Sequence, residues 1–166
     1  MSADCAHVTV RQARDTDADS IATLYRSLVA DAQITVLPER LRAIADDPHT
    51  ELLVCEVEGV VCATALVSFC LDAMYGHQPY AVIENVVVAA PRRHQGIGTT
   101  LFVYIENLCQ RHACSKMMLL SSDERVNAHG FFKHRGFSPT KHGFVKYRRD
   151  FRHISSGAAT GSGDRV

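Results

Sequence analysis

The chain predicts a mixed α/β (α+β) fold, with one central sheet flanked by helices. Three observations carry that expectation. The apolar pattern switches between strand-like and helical spacing in the order strand, two helices, three strands, helix, strand, helix, strand. One stretch, Val82-Ile83-Glu84-Asn85-Val86-Val87-Val88, is aliphatic enough for a central strand covered on both faces. And 166 residues, 46% hydrophobic and 22% charged, suffice for one buried core.

Val8 to Ala13 alternates and reads as the first strand. Asp15-Thr16-Asp17 then offers caps to a helix whose apolar face is Ile21, Leu24, Tyr25 and Leu28. A second, short helix starts at Pro38, carries Leu41 and Ile44, and stops at Asp47-Pro48. Leu52 to Val57, the Glu58-Gly59 turn and Val60 to Leu71 form a hairpin, followed by a loop from Asp72 to Pro79. The aliphatic strand runs from Tyr80 to Ala89. Past Pro91 comes a helix on which Leu101, Ile105, Leu108 and His112 recur. Lys116 to Leu120 is a further strand, Arg125 to Arg135 a short helix stopped by Gly136, and Gly143 to Phe151 a last strand. The expected organisation is a single domain over 1–153 and a flexible Ser/Gly/Ala/Thr-rich tail over 154–166.

Composition narrows the function. Eighteen Lys plus Arg balance eighteen Asp plus Glu, so the basic excess of a nucleic-acid or anionic-membrane binder is missing. The N-terminus lacks a basic start and an apolar core, and no apolar run approaches the ~20 residues of a membrane span. Six cysteines include no C-x-x-C pair, and Cys55, Cys62 and Cys70 fall in apolar runs. They read as reduced packing thiols of a cytoplasmic protein. The nine histidines show no ligand spacing, so no metal site is expected.

Chemistry concentrates at two places. Arg93-x-x-Gly96-x-Gly98-Thr99 lies between the aliphatic strand and an amphipathic helix. Glycines allow close backbone approach, and the unpaired N–H groups of a helix start attract anions such as a pyrophosphate. The same glycines would also serve simply to turn a tight loop. The segment is neither a Walker loop nor a dinucleotide fingerprint. Glu84 and Asn85 are the second place, because a carboxylate in such a strand needs a partner, water or a chemical role.

In spacing and context, Arg93-His94-Gln95-Gly96-Ile97-Gly98 resembles the acetyl-CoA loop of the GNAT acetyltransferase superfamily. Arg125-Val126-Asn127-Ala128-His129-Gly130-Phe131-Phe132, running on to Gly136-Phe137, is similar to that family's R-x-x-A-H-x-F-Y-x-x-x-G-F segment. The Val82–Val88 run resembles the acidic-then-aliphatic strand of its small-amine members. The similarity covers about Val8 to Phe151 and implies the GNAT fold, a mixed and mostly antiparallel sheet. It implies acetyl-CoA as co-substrate, held by Val86, Val87 and Val88, by Arg93, His94, Gln95, Gly96, Ile97, Gly98 and Thr99, and by Asn127 toward the pantetheine. Glu84 matches the position of a general base, which an alkylammonium needs before it attacks a thioester. The family's tyrosine, which protonates the departing thiolate, is replaced by Phe132, leaving Tyr75, His134 and Tyr147 as stand-ins.

The implied activity is transfer of an acetyl group to a primary amine of a small molecule, such as an amino sugar or aminoalkylphosphonate, by direct attack. The acceptor pocket is expected among Tyr25, Arg26, the 72–77 loop and the last strand. A non-catalytic acyl-CoA-binding module and a protein lysine or N-terminal acetyltransferase are the alternatives. Expected partners are a small-molecule amine, no nucleic acid, no membrane and at most a second copy of the chain.

Overall fold

A computed structural model describes residues 7–151 apart from 30 and 32; the tail expected over 154–166 lies outside them. The first strand, β1 (Val8–Gln12), pairs antiparallel with β2 (Thr50–Val57), which pairs antiparallel with β3 (Val60–Cys70). β4 (Tyr80–Val88) continues the antiparallel run, and β5 (Met117–Leu119) adds one parallel neighbour. The sheet order is therefore β1-β2-β3-β4-β5, the order of the chain itself.

The strands' period of two splits the core into two layers. Leu53, Val67 and Ile83 meet Leu101, Phe102 and Ile105 of α3 (Ile97–Arg111) and Phe132 of α4 (Val126–His134). From the opposite face, Leu52 and Val54 meet Ile21 of α1 (Ala18–Leu28) and Leu41 of α2 (Pro38–Ala45). Pro38 occupies the first turn of α2, where its missing N–H goes unneeded.

The start of α1 differs from the capping the sequence suggests. Asp17 is buried, yet its carboxylate caps no α1 amide. Its Oδ2 accepts the Arg14 N–H at 2.7 Å and Arg11 Nη1 at 2.7 Å, while Oδ1 accepts Arg11 Nη2 at 3.0 Å. The forked guanidinium also donates to Glu56 Oε2 through Nε at 3.0 Å and Nη2 at 2.8 Å. A bidentate ion pair outcompetes a neutral amide for the same oxygens. The result ties β1, β2 and the entry to α1 together, and so fixes the helix whose far end reaches the candidate site.

The last strand expected over Gly143 to Phe151 does not form. Residues 142–147 have no ladder, and a 3-10 turn follows over Arg148–Asp150. Phe144 is 95% exposed and Val145 72%, so the alternation that suggested a strand faces no sheet. The physical reason lies in β5, whose three residues offer a short edge. Gly143 meets that edge through a side chain instead of the backbone: a Cβ there would lie 2.6 Å from Leu120 Cδ2.

The Arg11 guanidinium holds the Asp17 carboxyl below the usual carboxylate value, with the Arg14 amide adding to the effect. A lowered carboxylate pKa stabilises the fold above its unfolded value and loses that contribution as the pH falls below about 4. Asp17→Ala should cost about 2–3 kcal/mol in urea unfolding at pH 7, and the difference from the parent should shrink at acid pH.

Candidate active site

The centre of the site is an irregularity in β4. Thr64 of β3 faces Val87 and Leu66 faces Glu84, so β4 carries one residue more than its partner over that stretch. Asn85 absorbs the bulge with a φ of 54°, a left-handed conformation that asparagine tolerates better than most residues. The extra residue resets the alternation. Glu84 and Asn85 are both exposed in succession, and Val86 and Val88 return to the α3 and α4 side of the sheet. Pairing with β5 stops at Ile83–Leu119, just before the bulge. From Glu84 to Val88 the β4 edge on that side has no strand neighbour among the described residues.

The strand leads through a 3-10 turn, Ala90–Arg92, into the start of α3. His94 at φ 62° and Gly96 at φ 81° are both left-handed. Gly96 stands at the N-cap of α3, and its carbonyl accepts the first helical N–H, from Thr100 at 2.9 Å. The N–H groups of Ile97, Gly98 and Thr99 therefore have no acceptor within the helix, and the dipole adds positive potential there. Gln95, Gly96 and Thr99 are exposed, whereas Ile97 is buried in the core. Gly98 serves packing: a Cβ would come within 3.3 Å of Phe131 and 3.8 Å of Val88. The Arg93 side chain turns back, its Nε donating to the Val88 carbonyl at 3.1 Å. Gln95 Nε2 donates to the Pro91 carbonyl at 3.0 Å. Both side chains brace the loop, leaving its backbone to face outward.

A cleft of about 480 Å³ opens where β4 and β5 part. β4 contributes Glu84, Asn85 and Val86; Leu119, Ser121 and Arg125 line the opposite wall, and Phe132 of α4 is exposed only 9% there. Leu28 and Val29, at the end of α1, line the same cleft. Glu84 makes no side-chain hydrogen bond or ion pair among the described residues, so the strand-pairing role open to it in sequence is not found. Beside it, burial pushes the Tyr25 hydroxyl above its usual pKa, against a smaller opposing effect of Thr64 and Asn85, which its hydroxyl faces.

Several expected residues stand elsewhere. Asn127 is exposed in the first turn of α4 and is not among the cleft-lining residues; Arg125 is. Of the acceptor region expected among Tyr25, Arg26, the 72–77 loop and the last strand, no residue lines this cleft, which takes its α1 wall from Leu28 and Val29. That loop joins β3 to the start of β4, at the strand end opposite the Gly96 turn. Tyr75, His134 and Tyr147 line no part of the cleft; His134 Nδ1 instead pairs with the Gly130 carbonyl at 2.9 Å. Nothing in the sequence sets Ser121 apart from surface residues, whereas Arg125 opens the R-x-x-A-H-x-F segment without being given a site role there.

The model of the acetyltransferase (GNAT) family matches residues 21–137, from α1 through α4 to Phe137. The chain belongs to the GNAT acetyltransferase family. An Agrobacterium tumefaciens str. C58 protein, provisionally named an acetyltransferase, is 28% identical, with 84% of this chain and 99% of that one aligned at a TM-score of 0.77. A glucosamine-6-phosphate N-acetyltransferase from Arabidopsis thaliana shares 22% identity over 86% of this chain and 99% of its own, at a TM-score of 0.74. An aminoglycoside N-acetyltransferase determined in complex with CoA shares 18% over 90% and 99%, also at 0.74. These two similarities speak to the fold.

Within this GNAT chain, the packing that surrounds Phe132 is aromatic. Phe102 stands 5.4 Å from Phe131, 5.7 Å from Phe132 and 5.9 Å from Phe137 between ring centroids, mostly edge to face. Phe132 therefore seals the cleft floor and brings no proton to it. Among the described residues no helix is long and apolar enough to cross a membrane, and no cluster of three or more His, Cys, Asp or Glu is placed to hold a metal.

The cysteines of this GNAT chain among the described residues line no part of the cleft. Burial pushes the Cys55 and Cys109 thiols up to about 12. Such thiols are protonated at neutral pH and make poor nucleophiles. Cys109 and Cys114 close the C-terminal turn of α3, where the Cys114 N–H donates to the Cys109 carbonyl at 2.9 Å and Ala113 adopts φ 52°. Ellman's reagent at pH 7 should label Cys55 and Cys109 at least about 10²-fold more slowly in the native protein than in urea.

Proposed function

We propose that the chain is an acetyl-CoA-dependent N-acetyltransferase acting on the primary amine of a small molecule. The observation that carries this reading is the continuity of three parts within one stretch of chain: the unpaired Glu84, the open β4 edge from Val86 to Val88, and the start of α3. The open edge offers backbone N–H and C=O groups to the amides of a pantetheine arm. The α3 start offers N–H groups and dipole to a pyrophosphate, through His94, Gln95, Gly96, Gly98 and Thr99. A 480 Å³ cleft opens at the Glu84–Val86 end of that edge. Acetyl-CoA supplies an activated acetyl thioester; everything else falls to the protein.

Glu84 is the residue placed to receive a proton. An alkylammonium with a pKa near ~10 carries no lone pair at neutral pH. A carboxylate with no protein partner, exposed at the cleft, takes that proton directly or through water, which typically contributes ~10²–10⁴ in rate. Val86 follows two residues later on the opposite side of the bulge, so proton acceptor and acyl-binding backbone face one cleft. The acceptor class follows the glucosamine-6-phosphate and aminoglycoside N-acetyltransferases named above. Phe132 favours a second reading, a module that binds acyl-CoA without turnover, because the cleft floor lacks a donor.

An amine panel with thioester consumption as readout separates the two readings. On the first, Glu84→Gln should lower the rate at pH 7 by ~10²-fold or more while CoA affinity holds, and part of the loss should return at high pH, where free amine is abundant. A variant with full rate and the parent's pH profile would remove Glu84 from the mechanism. CoA at 100 times its dissociation constant should stabilise the parent by about 2.7 kcal/mol. Gly96→Val should reduce that shift sharply, since a β-branched residue is strained at φ 81° and covers the amides.

A further inference from the structure

Ser121 is a polar part of the cleft to which the proposed function gives no task. Two residues beyond the end of β5, its Oγ is buried with no hydrogen-bond partner among the described residues. Native proteins rarely leave a buried hydroxyl unpaired, because its desolvation then goes uncompensated. Ser121 lines the same cleft as Glu84, Val86 and Phe132. Its neighbour is firmly held: the Ser122 carbonyl accepts the Arg125 N–H at 3.0 Å and His129 Nε2 at 2.9 Å. A pinned backbone, a hidden hydroxyl and an aromatic floor without a donor thus meet in one place.

Building on the proposed function, we infer that Ser121 donates a hydrogen bond through Oγ–H to the sulfur of the departing CoA, a role that Phe132 has no hydroxyl to fill. In the transfer, the amine nitrogen forms a bond to the acetyl carbon. The C–S bond breaks and its electron pair leaves on sulfur. The ammonium's proton passes to Glu84 before attack and from there to solvent; the second proton leaves nitrogen to solvent as the amide forms, and the released thiolate takes up one proton from solvent. Serine keeps its own proton, since an alcohol is a far weaker acid than a thiol. What it contributes is a charge-assisted hydrogen bond that strengthens as sulfur becomes anionic. This is a transition-state interaction, so it should act on kcat more than on binding.

The test titrates the thiolate of bound CoA by its ultraviolet absorbance, with no acceptor present, in the parent, Ser121→Ala and Ser121→Thr. The charged groups facing the cleft are Glu84 from β4 and Glu124 and Arg125 from the turn before α4, and all three proteins share them. Removing the donor should require about tenfold lower proton concentration for the same thiolate fraction, while threonine, which keeps the hydroxyl, follows the parent. With an acceptor, Ser121→Ala should lose about 10–100-fold in kcat, with CoA affinity within about threefold. Its melting temperature should not fall, because the hydroxyl has no partner to lose. In the Ser121→Ala background, Phe132→Tyr should recover much of the kcat. Superimposable thiolate titrations in two proteins that both bind CoA overturn the inference. So does a tenfold loss of CoA affinity with an unchanged titration, which makes Ser121 a contact of the pantetheine arm. If the parent binds no CoA, the proposed function itself fails and takes this inference with it.

Discussion

One extra residue in β4 organises the functional half of the molecule. A regular strand would place Glu84, Val86 and Val88 on a single face. The left-handed Asn85 breaks that phase, so the carboxylate and the two valines serve opposite sides of the sheet. It also coincides with the point at which β4 and β5 stop pairing. A bulge ordinarily costs ladder hydrogen bonds. The polar groups of the cleft come instead from the β4 edge beyond Ile83, where β5 no longer pairs.

The elements around the bulge are held so that it stays open. On the α1 side, the Arg11, Asp17 and Glu56 cluster fixes the beginning of the helix whose end walls the cleft. On the α3 side, Gly98 lets the helix approach Phe131 closely, and Phe131 belongs to the aromatic group that carries Phe132. Arg135 of the α4 terminus reaches Glu106 of α3 at 2.6 Å, closing the same frame from behind. Arg93, by bonding the Val88 carbonyl, joins strand and loop into one unit. Its contribution is therefore made through the shape of the loop.

Most of this was legible in the sequence, because period and punctuation are local properties. The four antiparallel strands, all four helices, the Gly96 turn and the exceptional status of Glu84-Asn85 follow from spacing, capping and the dislike of aliphatic strands for charge. The failures share a different cause. Gly143 to Phe151 alternates like a strand, but a strand also needs an edge of adequate length, and β5 provides three residues. Asp17 has the composition of a cap, yet the Arg11 guanidinium of β1 claims it. Ser121 becomes special only because β5 ends where it does. The missing edge and the cleft wall depend on partners distant in sequence, and the Asp17 contact on an ion pair with Arg11 across the turn; no periodicity encodes either.

The sheet order, identical to the chain order, has a consequence for how the molecule assembles. β1 excepted, each antiparallel pairing joins strands separated by a single turn or loop, so loop closure costs little and the meander from β2 to β4 can form early. β5 is different. It reaches β4 only after the whole of α3 has been built, and contributes three paired residues when it arrives. The junction of β4 and β5 is thus a seam between the local β2–β4 meander and a long-range addition, as the pairing of β1 with β2 is at the other edge. The β4–β5 seam closes after the meander, and its three paired residues make it a small join. The cleft lies along that seam, which lets a ligand enter between two strands without disturbing the meander that supports them.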